Sequence, residues 1–229
     1  MNTKSIYSSE PSLCEMDDFT NLLKEVWSTG ILTNNGPLIQ KLEDEICKSL
    51  NINKYIAVSN CTMALQLAIE ALDIKGTILL PAFSWIASAS AIKWQKNKIK
   101  YCDINPKTLN ICIKSIEENI DSSVEAIIPV HVFGNPCDVK SLDDIAKKNN
   151  LKIIYDAAHA FGTTFNDTSI LSCGDISCVS THATKIFNTA EGGGLVSDSA
   201  SLIKKIESLR FFGFDTDKNV VNSGTNAKM

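Results

Sequence analysis

The sequence predicts an α/β fold, a mostly parallel sheet sandwiched between helices. Three observations carry that expectation. From Tyr55 to Phe212, short apolar runs alternate with stretches whose apolar residues recur at helical spacing. The run Val124-Glu-Ala-Ile-Ile-Pro-Val-His-Val132 is almost continuously apolar, as a strand buried on both faces should be. Polar residues gather where the runs end, at 59–62 and at Asp156, and parallel sheets bind ligands beyond the carboxyl ends of their strands.

Residues 1–36 read as an N-terminal arm with one helix. Met16, Phe19, Leu22, Leu23 and Val26 recur at helical spacing, and Gly30 ends the run. Pro37 follows the polar turn Thr33-Asn-Asn-Gly36 and suits the first turn of a helix to about Leu50. A large domain is expected over 37–213, with 214–229 beginning a linker. Tyr55-Ile-Ala-Val58 is a strand that breaks into Ser59-Asn-Cys-Thr62, ahead of a mostly buried helix from Met63 to Leu72. Ile78-Leu-Leu80 runs into Pro81-Ala-Phe-Ser-Trp85 and then a helix to Trp94. Lys98 opens a strand ending at Asp103, with a helix near 113–119.

After the apolar run to Val132, Asp138 caps a helix through Asn150. Its inward residues are Val139, Leu142, Ile145 and Ala146, and Lys147 and Lys148 suit the negative end of its dipole. Residues 151–155 form a buried strand ending at Asp156-Ala-Ala-His159. Two further runs, Asp175-Ile-Ser-Cys-Val-Ser180 and Gly194-Leu-Val-Ser197, flank a hydroxyl-rich loop, and a helix is expected over 201–212.

Composition narrows the function. The chain has 229 residues, 44% hydrophobic and 21% charged, with a formal net charge of -4. That balance offers no basic field for nucleic acid or an anionic membrane. Of 22 basic residues only Arg210 is an arginine, which argues further against phosphate-backbone binding. No run reaches the ~18 apolar residues of a membrane span, and Met1-Asn-Thr-Lys-Ser-Ile-Tyr7 lacks the apolar core of a signal peptide. Eight scattered cysteines without a Cys-x-x-Cys pair suit a reduced, cytoplasmic protein.

The chemistry centres on Lys185 in Ser180-Thr-His-Ala-Thr-Lys-Ile-Phe-Asn-Thr-Ala-Glu-Gly-Gly-Gly194, a loop between two strands. A lysine picked at random is a solvated surface charge. Lys185 stands out because an anion cradle and a carboxylate occur elsewhere in the right kind of place. Pyridoxal phosphate needs a lysine for its aldehyde, an acid for its pyridine nitrogen, a phosphate cradle and a ring-stacking group. Asp156 closes an apolar strand, where it serves either as that acid or as a turn or cap residue. The turn at 59–62 offers orphan N–H groups at a helix N-terminus, although Ser, Asn and Thr are also common caps.

Five ordered motifs then carry a family resemblance. They are Ser59-Asn-Cys-Thr-Met-Ala-Leu65, Pro81-Ala-Phe-Ser-Trp-Ile-Ala87, Val130-His-Val-Phe-Gly134, Tyr155-Asp-Ala-Ala-His-Ala160 and His182-Ala-Thr-Lys-Ile-Phe-Asn-Thr-Ala-Glu-Gly-Gly193. Together they resemble the sugar-nucleotide aminotransferases of the DegT type, within the aspartate-aminotransferase fold. The resemblance runs from about Leu32 to Met229 and implies the large domain of that fold, with a seven-stranded sheet.

It further implies pyridoxal 5'-phosphate as cofactor. Lys185 resembles the Schiff-base lysine, Asp156 the partner of the pyridine nitrogen, and His159 a residue near the ring hydroxyl. Trp85 would stack on the ring. Thr62 and Ser180 would bind phosphate beside Cys61, and Asn226 matches an asparagine that reaches the phosphate of a partner subunit. A homodimer with shared sites is therefore expected.

Leu32-Thr-Asn-Asn-Gly-Pro37 and His182-Ala-Thr-Lys-Ile-Phe-Asn188 most resemble the branch that makes dTDP-4-amino-4,6-dideoxyglucose from the 4-keto-6-deoxy sugar, with glutamate as amino donor. A related branch aminates carbon 3. Such amino sugars belong to surface-polysaccharide, O-antigen biosynthesis.

Three departures accompany the resemblance. Cys61 replaces a usual glycine beside the phosphate, and Thr181 replaces a usual aromatic residue. The smaller C-terminal domain of the family is missing after Met229. The chain is accordingly expected to be truncated and nearly inactive, with an uncovered docking face that favours aggregation.

Rival readings are weaker. No Gly-x-Gly-x-x-Gly follows a strand, and no Gly-Lys-Ser/Thr phosphate loop exists. Gly192-Gly-Gly194 precedes a strand, so a tight turn or a close backbone approach is its expected use. Cys173, Cys178 and His182 lack a fourth ligand and zinc spacing, so no metal is expected. His131 reads as a core or turn histidine. A non-catalytic, cofactor-binding relic is the alternative outside enzymes.

Overall fold

A computed structural model describes residues 9–229; the heptapeptide read for a leader lies outside them. Seven strands form one sheet. They are β1 (Tyr55–Val58), β2 (Thr77–Pro81), β3 (Lys98–Cys102), β4 (Val124–Ile127), β5 (Lys152–Asp156), β8 (Ile176–Ser180) and β9 (Gly193–Val196), in the order β1-β9-β8-β5-β4-β2-β3. The remaining pair, β6 (Thr164–Phe165) and β7 (Thr168–Ser169), is a separate small hairpin. Its Asn166-Asp167 turn holds both residues at positive φ, the backbone that a two-residue hairpin demands.

All ladders between β8 and β3 are parallel, whereas β9 runs antiparallel to both β8 and β1. The mostly parallel, seven-stranded sheet expected from the sequence is therefore present. The inserted strand needs glycine. A Cβ on Gly193 would lie 2.6 Å from the backbone nitrogen of Cys61, and one on Gly194 would run into the ring of Tyr55. The close backbone approach expected of the glycine triplet is met here.

Helices cover both faces because successive strand residues point opposite ways. Ile56, Val58, Ile78 and Leu80 pack with α3 (Cys61–Ala71), α4 (Ile86–Trp94) and α7 (Ala200–Arg210). Tyr55, Ala57, Leu79 and Ile127 face the side covered by α2 (Pro37–Leu50), α5 (Ile113–Asn119) and α6 (Val139–Asn149). Asp138 caps α6 by accepting from the Ser141 N–H at 3.1 Å. The first helix, α1 (Met16–Thr29), ends at a left-handed Gly30 and carries no buried residue, so its apolar stripe lies uncovered.

Three boundaries differ from the sequence reading, each for a local reason. Helix α3 opens at Cys61 rather than Met63, because the Asn60 side chain caps it by accepting the Met63 N–H at 2.8 Å. Strand β4 stops at Ile127 rather than Val132. Beyond it Pro129 lacks an N–H, and the ladder is reduced to a single parallel bridge, Val130 beside Asp156 at the end of β5. There the Pro129 carbonyl accepts the Asp156 N–H (2.9 Å), and the His131 N–H donates to the Asp156 carbonyl (3.1 Å). Residues 214–229, expected to begin a linker, return to the body. The Ala227 N–H donates to the Arg210 carbonyl (3.1 Å), and the Ala227 carbonyl accepts from the Ser59 N–H (3.0 Å).

Candidate active site

At the carboxyl end of β5 the chain turns sharply and leaves the Asp156 side chain buried, 5% exposed. Its carboxylate has two donors. The Ser88 hydroxyl reaches Oδ2 at 2.6 Å, and the Ala158 N–H reaches Oδ1 at 3.2 Å. Each carboxylate oxygen offers two lone pairs, so acceptor capacity remains for a third donor.

Asp156 faces a cavity of about 600 Å³. Lys185, His159, Ser180, Trp85, Thr62 and Cys61 line the same cavity. Seven of the eight site residues proposed from sequence therefore converge on one volume, from β5, β8, the β1–α3 turn, the start of α4 and the loop after β8. The eighth, Asn226, is exposed and lies outside the lining, bridged to Phe211.

The N-terminus of α3 forms one wall. Its cap engages the Met63 N–H, leaving the N–H groups of Cys61 and Thr62 without an acceptor among the described residues. Two such groups at the positive end of a helix dipole form an anion cradle. Cys61 sits within the helix, not at positive φ, so glycine is not required for its backbone. Its half-buried side chain packs against the core, and burial drives the thiol's pKa well above normal. A different close approach is made by Gly193 of the neighbouring strand, which packs against the backbone of Asn60 and Cys61.

Lys185 rides on a closed loop. Thr181 and Thr189 pair through their hydroxyls at 2.7 Å, the Thr189 N–H donates to the Thr181 carbonyl (2.8 Å), and the Ala183 N–H to the Ala190 carbonyl (2.7 Å). Thr181 is buried and therefore serves as a clasp at the neck of the lysine loop. A second cavity of about 420 Å³ lies beside it, lined by Phe133, Phe161, Thr163, Ile186 and again by His159 and Lys185. His159 thus stands between the two volumes. Burial, then the Lys185 ammonium, lower its pKa, opposed by the Asp156 carboxylate. Trp85 is 77% exposed and presents a free aromatic face at the rim.

Sequence reasoning missed Ser88 and the pair His182–Glu191, 3.6 Å apart on the same lining. Nothing in the sequence separates Ser88 from Ser90 on the same helix, so only the structure reveals it. Among the described residues no group of His, Cys, Asp and Glu is arranged to hold a metal ion, and no helix is long and apolar enough to cross a membrane.

The DegT/DnrJ/EryC1/StrS aminotransferase family model matches residues 13–229. The chain belongs to this family. Aminotransferases of the DegT/DnrJ/EryC1/StrS family act on nucleotide sugars and depend on pyridoxal phosphate. A dTDP-4-amino-4,6-dideoxy-D-glucose transaminase of Shigella dysenteriae is 43% identical over 226 residues, covering 99% of this chain and 62% of the relative. DesI, solved in the presence of its TDP-sugar product, superposes with a TM-score of 0.91 at 31% identity, over 96% of this chain and 56% of DesI. The ntda protein of Bacillus subtilis, solved with bound cofactor PMP, gives a TM-score of 0.85 at 32% identity, over 93% of this chain and 49% of its own. The chain spans 62% of the length of the Shigella dysenteriae transaminase and of a second one from Escherichia coli. The family resemblance and the fold expected from five short motifs are both borne out.

Proposed function

We propose that the chain binds pyridoxal phosphate at Lys185 and serves amino transfer from glutamate to a keto-deoxy nucleotide sugar. The substrate proposed is dTDP-4-keto-6-deoxyglucose, aminated at carbon 4. The single observation carrying the reading is the convergence of Lys185, Asp156 and an uncapped helix N-terminus on one cavity. The name of the Shigella dysenteriae relative supports the substrate, and the cofactor in the ntda structure supports the cofactor.

The residues present fit the cofactor. Orphan N–H groups at Cys61 and Thr62, with the hydroxyls of Thr62 and Ser180, suit its phosphate. The spare lone pairs of Asp156 suit a pyridine N–H, and Trp85 covers a ring face. When bound, pyridoxal phosphate supplies an aldehyde carbon and an electron-withdrawing ring. Asp156 holds a proton on the pyridine nitrogen, since a buried carboxylate is best neutralised by a cation in contact. The Lys185 amine would hold the aldehyde carbon with loss of water and, once the amino donor's nitrogen displaces it, would be free to carry a proton at the substrate carbon. His159 borders both cavities, and burial lowers its pKa, which favours the neutral imidazole that would hydrogen-bond near the cofactor's ring hydroxyl. The second cavity, beside Lys185, receives the substrate. Asn226 serves the partner's site in a homodimer, which accounts for its place outside its own cavity.

Absorption spectroscopy tests the reading. The chain reconstituted with pyridoxal phosphate should show a lysine–cofactor band, and Lys185→Ala should abolish it. Glutamate should bleach the band of the wild type. A band that survives Lys185→Ala sinks the lysine assignment; a band indifferent to glutamate favours a cofactor-binding relic. Mass and NMR analysis of the sugar product separates carbon 4 from carbon 3, and sedimentation tests the dimer.

A further inference from the structure

Ser88 is the only side chain among the described residues that donates to the Asp156 carboxylate, and it does so across 68 positions of sequence. We propose that Ser88 is a positioning residue, fixing the plane of the Asp156 carboxylate so that its free lone pairs meet the pyridine nitrogen. The inference rests on the cofactor reading above and deepens it.

Geometry separates this serine from an ordinary helical one. A buried helical serine usually turns its hydroxyl to a carbonyl one turn back. That option exists here, since the Trp85 carbonyl lies 3.3 Å away. The Asp156 oxygen at 2.6 Å is closer and carries charge, so the proton goes to the carboxylate. Ser84 lies 2.8 Å behind Ser88, and its own proton completes a chain Ser84 to Ser88 to Asp156. Two donors then act on different oxygens, Ser88 on Oδ2 and the Ala158 N–H on Oδ1, which fixes the rotation of the carboxylate as well as its position.

The same turn of α4 also carries the ring-stacking candidate. Trp85 is the N-cap of the helix, exposed at the rim, and Ser88 lies three residues on, fully buried. A single rigid turn thereby sets the height of the ring, through Trp85, and the direction of its nitrogen partner, through Ser88. The Ser88 side chain is fully buried, 0% exposed, so water cannot replace its bond without displacing the helix.

Nitrogen-15 NMR tests this directly. The full 229-residue chain is loaded with pyridoxal phosphate labelled at the ring nitrogen, and cofactor dissociation is followed in parallel. Ser88→Ala should move the ring-nitrogen resonance toward its unprotonated position and weaken cofactor retention about ten-fold, the effect of losing one hydrogen bond to a charged group. Ser88→Cys, close in volume but a weak donor, should fall between. Ser90→Ala, on the same helix, should match the wild type, whereas a purely structural effect would appear in both. A wild-type resonance and wild-type retention in Ser88→Ala or Ser88→Cys overturns the positioning role alone. Borohydride reduction and peptide mass mapping report attachment at Lys185; a wild-type chain without it overturns the cofactor reading and this inference together.

Discussion

Glu43 and Arg210 meet at 2.7 Å with both side chains buried, and both grip the same residue of the sheet's edge. The Ala57 N–H donates to Glu43 Oε1 (2.8 Å), and Arg210 Nη1 donates to the Ala57 carbonyl (2.9 Å). Strand β1 has β9 on one side only, so these side chains satisfy backbone groups that a further strand would otherwise take. The chain's single arginine is thus a structural staple joining α2, β1 and α7. Arg210→Met should cost about 2–3 kcal/mol, because it removes a charged hydrogen bond to a buried carboxylate that keeps only the more distant Lys54 ammonium, 3.9 Å from Oε2. The double variant Glu43→Leu/Arg210→Met should recover only part of that loss, since the Ala57 N–H and carbonyl stay unpaired, and urea melts of the wild type and both variants would measure it.

His131 predicts the acid limb of stability. It is fully buried and stacked on Tyr155 at 4.6 Å, and its Nδ1 accepts the Cys137 N–H while Nε2 finds no partner among the described residues. Burial lowers its pKa from 6.5 to about 4. The folded pKa lies below the unfolded one, so the unfolded chain binds the extra proton first as pH falls. Stability is intact above about pH 6.5 and declines toward pH 4, by roughly 3 kcal/mol from this group. His131→Asn keeps an acceptor for Cys137 and removes the titration; its denaturant midpoint should be flatter between pH 6.5 and 4 than that of the wild type.

Ala190 sits at φ 64 in the lysine loop, a left-handed backbone that costs a residue with a Cβ. Its side chain is exposed, so nothing is lost by trimming it. Ala190→Gly should raise stability by about 1 kcal/mol, a rise of a few degrees in Tm by calorimetry.

Gly193 predicts the opposite. A Cβ there would stand 2.6 Å from the Cys61 nitrogen, 2.7 Å from the Asn60 carbonyl carbon and 2.7 Å from the Val179 carbonyl oxygen, all backbone atoms unable to rotate away. Gly193→Ala should destabilise by about 1–3 kcal/mol and displace the start of α3. Equilibrium dialysis should show pyridoxal phosphate held more weakly than a matched drop in stability explains.

The elements that proved legible in the sequence carried their own local chemistry. Pro37 opens α2, Asp138 caps α6, and Asp156 closes β5, as read from single residues and their neighbours. What stayed hidden depends on partners distant in the chain. The direction of β9 was invisible, because the same apolar residues suit a parallel or an antiparallel neighbour. The true start of α3 turned on Asn60 choosing a cap over a turn. Ser88 offered no motif at all, since its meaning lies in a carboxylate on another element. Thr181 looked like a missing aromatic and became intelligible only opposite Thr189.

The antiparallel insertion of β9 also orders events in time. Strand β1 is made early in synthesis, yet its one ladder partner among the described residues, β9, emerges after β2 to β8 have appeared. The 59–62 turn follows β1 and the lysine loop precedes β9, so the two walls of the cavity join only at this last, most distant pairing. Such closures are slow. A nascent chain stalled before residue 193 would hold a near-complete sheet with an unpaired outer strand, and would have no means of retaining its vitamin.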